Sequence, residues 1–168
     1  MSTTNKPALR GILLGGFCAG LADFIYPTAR TVLNGGAWTG PWKGVASGLL
    51  GKAARDGGLE IVALGVALHF FICLSGAALL YLLASRVKVL PRQWIVLGVL
   101  YGVAVLLVMN YVILPLSAIG HGIYPLAQLH VHAFWHIVLV GLPTAFFVAR
   151  ALVNGSRAAP SGASPASL

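Results

Sequence analysis

Apolar residues fall in four long runs, separated by short stretches of polar and turn-forming residues. A membrane-spanning helix needs about 20 apolar residues, and each run supplies that length. The pattern predicts spans at about 9–33, 59–84, 94–116 and 126–152. Pro27 predicts a kink, or the end of the regular part of the first span, and Pro115 closes the third. Between the first two spans, Asn34, Gly35, Gly36, Gly40 and Pro41 read as a turn. Trp42, Val45, Ala46, Leu49, Leu50 and Ala53 then recur at helical spacing and form one stripe of a helix over about 41–55. Lys43, Ser47, Lys52 and Arg55 lie off that stripe. A short amphipathic helix carrying Trp and Lys suits the membrane interface; the alternative is a re-entrant segment packed inside the bundle. The predicted fold is all-α: an integral membrane four-helix bundle with a short interfacial amphipathic helix between the first two spans. Residues 1–152 make a single transmembrane domain, and the Ser-, Ala-, Pro- and Gly-rich stretch 153–168 is expected to be a disordered cytoplasmic tail.

Composition points the same way. Of the 168 residues, 58% are hydrophobic and 8% charged, whereas soluble domains carry roughly a quarter charged residues. Such a chain does not cover a water-facing surface. Lys6 and Arg10 before an apolar stretch, with Gly20-Leu21-Ala22 as a passable cleavage site, also fit a signal peptide. Apolar character resumes after Asp23, which favours a retained span. Cys18 and Cys73 both fall inside apolar runs and read as buried packing residues.

The net charge is +8, with Asp23, Asp56 and Glu60 as the only acids. The basic residues sit between apolar runs and not on a soluble face, so they read as topological signals and lipid contacts, with no nucleic-acid partner. One side of the membrane gathers Lys6, Arg10, Arg86, Lys88, Arg92, Arg150 and Arg157; the other has Arg30, Lys43, Lys52 and Arg55. The positive-inside rule places the first side, with both termini, in the cytoplasm.

With that topology, the polar residues of the spans concentrate in the outer half. Asp23 lies at or beyond mid-membrane, Glu60 near the outer surface and His69 deeper. Asn110, Tyr111, Gln128, His130, His132 and His136 occupy the outer parts of the third and fourth spans. Charged groups inside a bilayer usually face a partner or a water-filled cavity. Asp23 and Arg30 share a helix face two turns apart and are expected to pair. The candidates for a periplasm-facing polar pocket are Asp23, Arg30, Glu60, His69, Asn110 and His136. His132 and His136, four residues apart, are candidate ligands for zinc or copper. His69 and His136, at similar depth on different helices, are candidates for a shared haem, metal or proton site. The baseline expectation is no cofactor, with these histidines anchoring or packing near Trp135 and Tyr124. The chain lacks the HExxH pattern, a CxxC pair, a GxSxG elbow and a phosphate-cradling loop with Lys, so nothing supports an enzyme.

Gly11 and Gly15, Gly16 and Gly20, and Gly98 and Gly102 form small-xxx-small pairs, which let helix backbones approach closely in lipid. Such faces serve either packing within the chain or docking on a second copy or a membrane-complex partner. Several short motifs carry a resemblance: Val45-Ala46-Ser47-Gly48-Leu49-Leu50-Gly51, Leu68-His69-Phe70, Met109-Asn110, Leu114-Pro115-Leu116-Ser117, His136, and Val140-Gly141-Leu142-Pro143. Over roughly residues 10–150 the chain resembles the YagU-like proteins, small four-helix bacterial inner-membrane proteins without an agreed activity. The resemblance implies an inner-membrane location and an association with acid tolerance. His130 and His132 stand outside that pattern, so no metal or pH role reaches them through it. Two functional expectations remain. One is a non-enzymatic membrane protein whose polar, His-containing pocket serves small-solute, proton or pH response. The other is a structural or accessory subunit that docks through its Gly faces.

Overall fold

Glycine spacing on the first helix sets which helices can touch it. The computed structural model describes residues 5–87 and 90–158. Helix α1 (Asn5–Leu33) carries Gly11 and Gly15 on one face and Gly16 and Gly20 on another. Five residues of α-helix turn through about 500°, so the two faces point about 140° apart. The first face meets α5 (Leu126–Ser156): a Cβ at Gly11 would collide with the Ala151 Cβ, and one at Gly15 would lie 3.2 Å from the Thr144 carbonyl oxygen. The second meets α3 (Leu59–Ser85), where a Cβ at Gly16 would lie 2.8 Å from the Leu74 Cα. Helix α1 is therefore held between α3 and α5 by backbone contact on both sides.

The fourth long helix, α4 (Trp94–Leu116), uses the same device. A Cβ at Gly102 would lie 2.6 Å from the Ile137 Cα, and one at Gly98 would lie 3.0 Å from the Leu142 Cα. Gly141 of α5 faces back onto the Gly98 carbonyl. All three glycine pairs are thus occupied by the chain's own helices, and none of these pairs forms a bare glycine face for an outside partner. Near the chain termini, Leu80 and Ala84 of α3, Leu97 of α4, and Ala145 and Val148 of α5 close a small apolar core. The outer surface is apolar as well: Leu13, Phe17, Phe71, Leu82, Leu100 and Leu107 are all exposed. Four helices are long and apolar enough to cross a bilayer, and the whole is an all-α membrane bundle.

The spans begin and end close to the predicted positions. Helix α1 runs on through Pro27 to Leu33 without breaking. Both later helices absorb their prolines through a wider turn. Met109–Ile113 and Ile137–Gly141 are π-helical, and Leu114 and Leu142 donate to carbonyls five residues back, one residue before Pro115 and Pro143. A proline ring clashes with the carbonyl four residues earlier, and the wider turn gives it room. At the other end of α5, the last α-helical stretch is Leu142–Ala158. It therefore continues past residue 153, where composition suggested a disordered tail; residues 159–168, like Lys88, lie outside the described residues.

The helix between the first two spans differs from expectation in two ways. Instead of running over 41–55, α2 (Gly40–Leu50) stops at Gly51, whose φ of +71° ends it, and a 3₁₀ turn at Lys52–Asp56 follows. The expected stripe is also rotated. Trp42, Ala46 and Ser47 are buried, whereas Leu49, Leu50 and Ala53 are exposed. The cause is the close approach of α2 to α3, where the Trp42 carbonyl sits directly over Gly65. Only small side chains fit beside such a contact, and the Ser47 hydroxyl satisfies itself on the Gly44 carbonyl at 2.6 Å. Leu49 and Leu50 are left to lie against lipid.

The glycine contacts make a two-sided prediction. Gly102→Ala drives a methyl into the Ile137 backbone and should cost about 1–3 kcal/mol, the usual range for overpacking. Gly44 in α2 has nothing within 4 Å of its missing Cβ, so Gly44→Ala should be neutral or stabilise by up to about 1 kcal/mol. Equilibrium unfolding in mixed micelles measures both. Equal effects at the two sites would contradict the packing described above.

Candidate polar site at the loop end of the bundle

The polar groups of the spans gather toward the end that carries residues 34–58 and 117–125, opposite the chain termini. They form two nodes, one on each side of α1.

The first node lies between α1, α2 and α3. Trp42 is 1% exposed, stacks on Phe24 at 4.2 Å and meets the His69 ring edge-on at 5.2 Å. Its indole N–H donates to the Thr28 hydroxyl at 3.1 Å, and Thr28 in turn donates to the Phe24 carbonyl. His69 is buried, and its Nε2 lies 2.9 Å from the Gly20 carbonyl oxygen. A carbonyl only accepts, so Nε2 carries the proton. Gly20 lacks a side chain that would cover that carbonyl, which ties the histidine to the glycine pattern of α1. His69 here is a packing residue held through Nε2, with Cys73 Sγ 3.9 Å from the same nitrogen.

The second node lies between α1, α4, α5 and the 117–125 loop. Asn110 is 1% exposed and sits in the π turn of α4. Its side-chain oxygen accepts from the N–H groups of Ile123 and Tyr124, both at 2.9 Å, and its amide donates to the Tyr124 carbonyl at 3.1 Å. Asn110 thus acts as a strand-like partner for a loop that has none. Gly122 fits against the Asn110 backbone, where a Cβ would lie 2.6 Å from its carbonyl. The clamp holds Tyr124 over the start of α5. There its ring stacks on His132 at 3.7 Å and meets His136 edge-on at 6.2 Å. One turn away in α1, Tyr26 stacks on Trp135 at 4.3 Å.

His136 has a defined tautomer. Its Nδ1 lies 2.8 Å from the His132 carbonyl oxygen, so Nδ1 carries the hydrogen and Nε2 is the basic atom. Asp23 is half-buried in α1 and its charge reaches Tyr124. Pro27 has no N–H to give the carbonyl four residues earlier, which is that of Asp23. Burial pushes the Tyr124 phenol above its usual pKa; the Asp23 carboxylate adds to the rise and Arg30 offsets part of it.

Not every sequence candidate arrives here. Asn110 and His136 belong to the second node and His69 to the first; Asp23 is half-buried in α1 and its side chain forms no hydrogen bond or ion pair among the described residues. His69 and His136 have separate hydrogen bonds and separate aromatic neighbours, and no contact between them is formed. Arg30 is exposed, and among the described residues no ion pair joins it to Asp23. Seven residues of helix separate the two by about 10 Å along the axis, and a long cationic side chain reaches toward water. Glu60 is exposed and accepts from the Gly58 N–H at 2.8 Å, so it caps the start of α3 and lines neither node. His132 and His136 place two imidazoles at one tyrosine; among the described residues no group of three or more His, Cys, Asp or Glu side chains is arranged to hold a metal ion. Sequence reading underrated Tyr124, Trp42 and Tyr26. Their signal is aromatic density at span ends, which reads equally well as interface anchoring.

Tyr124 gives a pH prediction. A phenol whose folded pKa is raised supports the fold while neutral, below the unfolded value of about 10. That support is lost as pH climbs from there through the folded value. Tyr124→Phe should remove part of the alkaline fall in stability above about pH 10 and leave stability at pH 7 nearly unchanged, followed by unfolding midpoints across pH 7–11. An alkaline limb identical to wild type would contradict the burial of this phenol. No protein-family model, curated protein or solved structure matches the chain.

Proposed function

We propose that this is a bacterial inner-membrane protein with both termini in the cytoplasm, and that its Tyr124 node is a periplasm-facing element responsive to protons or to a small polar solute. The observation that carries the reading is His136: its Nδ1–H is committed to the His132 carbonyl, leaving Nε2 as a single basic atom. It sits beside a clamped tyrosine and a second imidazole, one helical turn apart on α5. Protonation at this node would alter the stacking of Tyr124, and Asn110 ties that residue's backbone to the rest of the loop. Its role in this reading is non-enzymatic.

The orientation rests on the excess of basic residues at the end with the termini. Reporter fusions within 118–125 and after Arg157 should be active in the periplasm and cytoplasm respectively, and the reverse pattern would turn the site to face the cytoplasm. The proton response is tested by tryptophan fluorescence, since Trp135 lies against Tyr26 in the same node. Acidification from about pH 7.5 to 5 should give a sigmoidal change in emission. His136→Gln should abolish it, whereas His130→Gln, on an exposed residue, should not. A change that survives His136→Gln would remove this residue from the mechanism.

A further inference from the structure

Far from the Tyr124 node, at the end with the termini, α1 and α5 leave a groove of about 670 Å³ beside the contact of Gly11 with Ala151. Its rim carries Lys6, Arg10, Arg150 and Asn154, and its walls include Leu14 and Phe147. Lys6 and Arg10 are four residues apart, so they stand on one face of α1. Arg150 lines the same groove from α5, with its guanidinium carbon 5.5 Å from the Phe146 ring centroid. Three cations thus line one groove.

No acidic side chain of the chain can balance them there. The only acids are Asp23, Asp56 and Glu60. Asp23 lies thirteen residues beyond Arg10 on the same helix, about 20 Å along the axis. Asp56 and Glu60 flank the start of α3, at the opposite end of the bundle. The counter-charge has to come from outside the side chains, and the groove says in what form. Below the cations its walls are apolar and belong to membrane-spanning helices, with Leu14 about half exposed. A soluble anion would leave that surface wet. A phosphodiester headgroup with an acyl chain attached would satisfy both parts at once.

We infer that this groove binds an anionic phospholipid, with the phosphodiester held by Lys6, Arg10 and Arg150, Asn154 available as a hydrogen-bond partner, and one acyl chain lying along Leu14 and Phe147. The site is independent of the Tyr124 node and does not rest on the function proposed for it. It would anchor the α1–α5 pair, one of the two contacts that hold α1 in the bundle, to one class of lipid.

The test is native mass spectrometry of the full-length chain in detergent, titrated with phosphatidylglycerol or with phosphatidylcholine of the same acyl chains. Phosphatidylglycerol should be retained preferentially. Arg10→Gln with Arg150→Gln should weaken its binding about twenty-fivefold, taking about fivefold for each cation near an anionic headgroup. Arg86→Gln, an exposed cation at the same end but outside the groove, should leave it unchanged. Should the double variant fail to fold, the single changes Lys6→Gln and Arg150→Gln decide the matter at about fivefold each. Equal retention of the two lipids, an equal loss in Arg86→Gln, or displacement of the lipid by glycerophosphate at matched concentration would each overturn the proposal, the last by identifying a soluble anion as the ligand.

Discussion

Close contact between helix backbones, made where glycine removes the side chain, is the constraint on which the rest of this structure depends. In lipid, burying apolar surface gives little drive for helices to associate, because the surrounding chains are equally apolar. What remains is van der Waals contact, which is strongest where backbones touch. Helix α1 offers two such faces, and the 140° between them dictates that it lies between α3 and α5. Gly98, Gly102 and Gly141 lock α4 onto α5, and Gly65 receives the Trp42 backbone of α2. Sequence neighbours α3 and α4 pack less intimately than α1 and α5, whose contact closes the bundle.

A second layer of design acts through proline. Pro27, Pro115 and Pro143 each sit inside or near the end of a long helix, and each removes one backbone hydrogen bond. In α4 and α5 the response is a π turn. The π turn of α4 presents Asn110 to the 117–125 loop, and the one in α5 follows His136 immediately. In α1 the carbonyl released by Pro27 belongs to Asp23. Backbone irregularity within a membrane is tolerated where it is buried in protein or lines a wet cavity. Here it borders the node where Tyr124, His132 and His136 meet, so the same feature that loosens the helices builds the polar site.

The two ends of the bundle therefore differ in chemistry as well as charge. The loop end holds titratable and aromatic groups in a clamped arrangement. The end with the termini combines a tight apolar core at Leu80, Ala84, Leu97, Ala145 and Val148 with a cationic groove between α1 and α5.

The number, length and placement of the spans were legible in the chain because they depend on local quantities: apolar run length, turn residues and the 3.6-residue period. So was the concentration of Asp23, His69, Asn110 and His136 toward one end, since helical rise converts sequence position to depth. The glycine pairs were legible as packing faces, but not which helix each would meet. The extent and rotation of α2 were hidden, because the buried face was chosen by backbone approach at Gly65 and not by hydrophobicity; Ser47 goes in and Leu49 stays out. Pairings across the bundle were hidden too. Depth alone put His69 level with His136, yet azimuth around α1 separates them, and azimuth follows from the glycine contacts. Arg30 and Asp23 looked paired because they share a face, while the structure leaves the arginine exposed. Tyr124 became a hub only because Asn110, fourteen residues earlier, folds the loop back over α5. One-dimensional pattern determines how far a residue lies along its helix; which neighbours it meets around the helix is a property of the packed bundle.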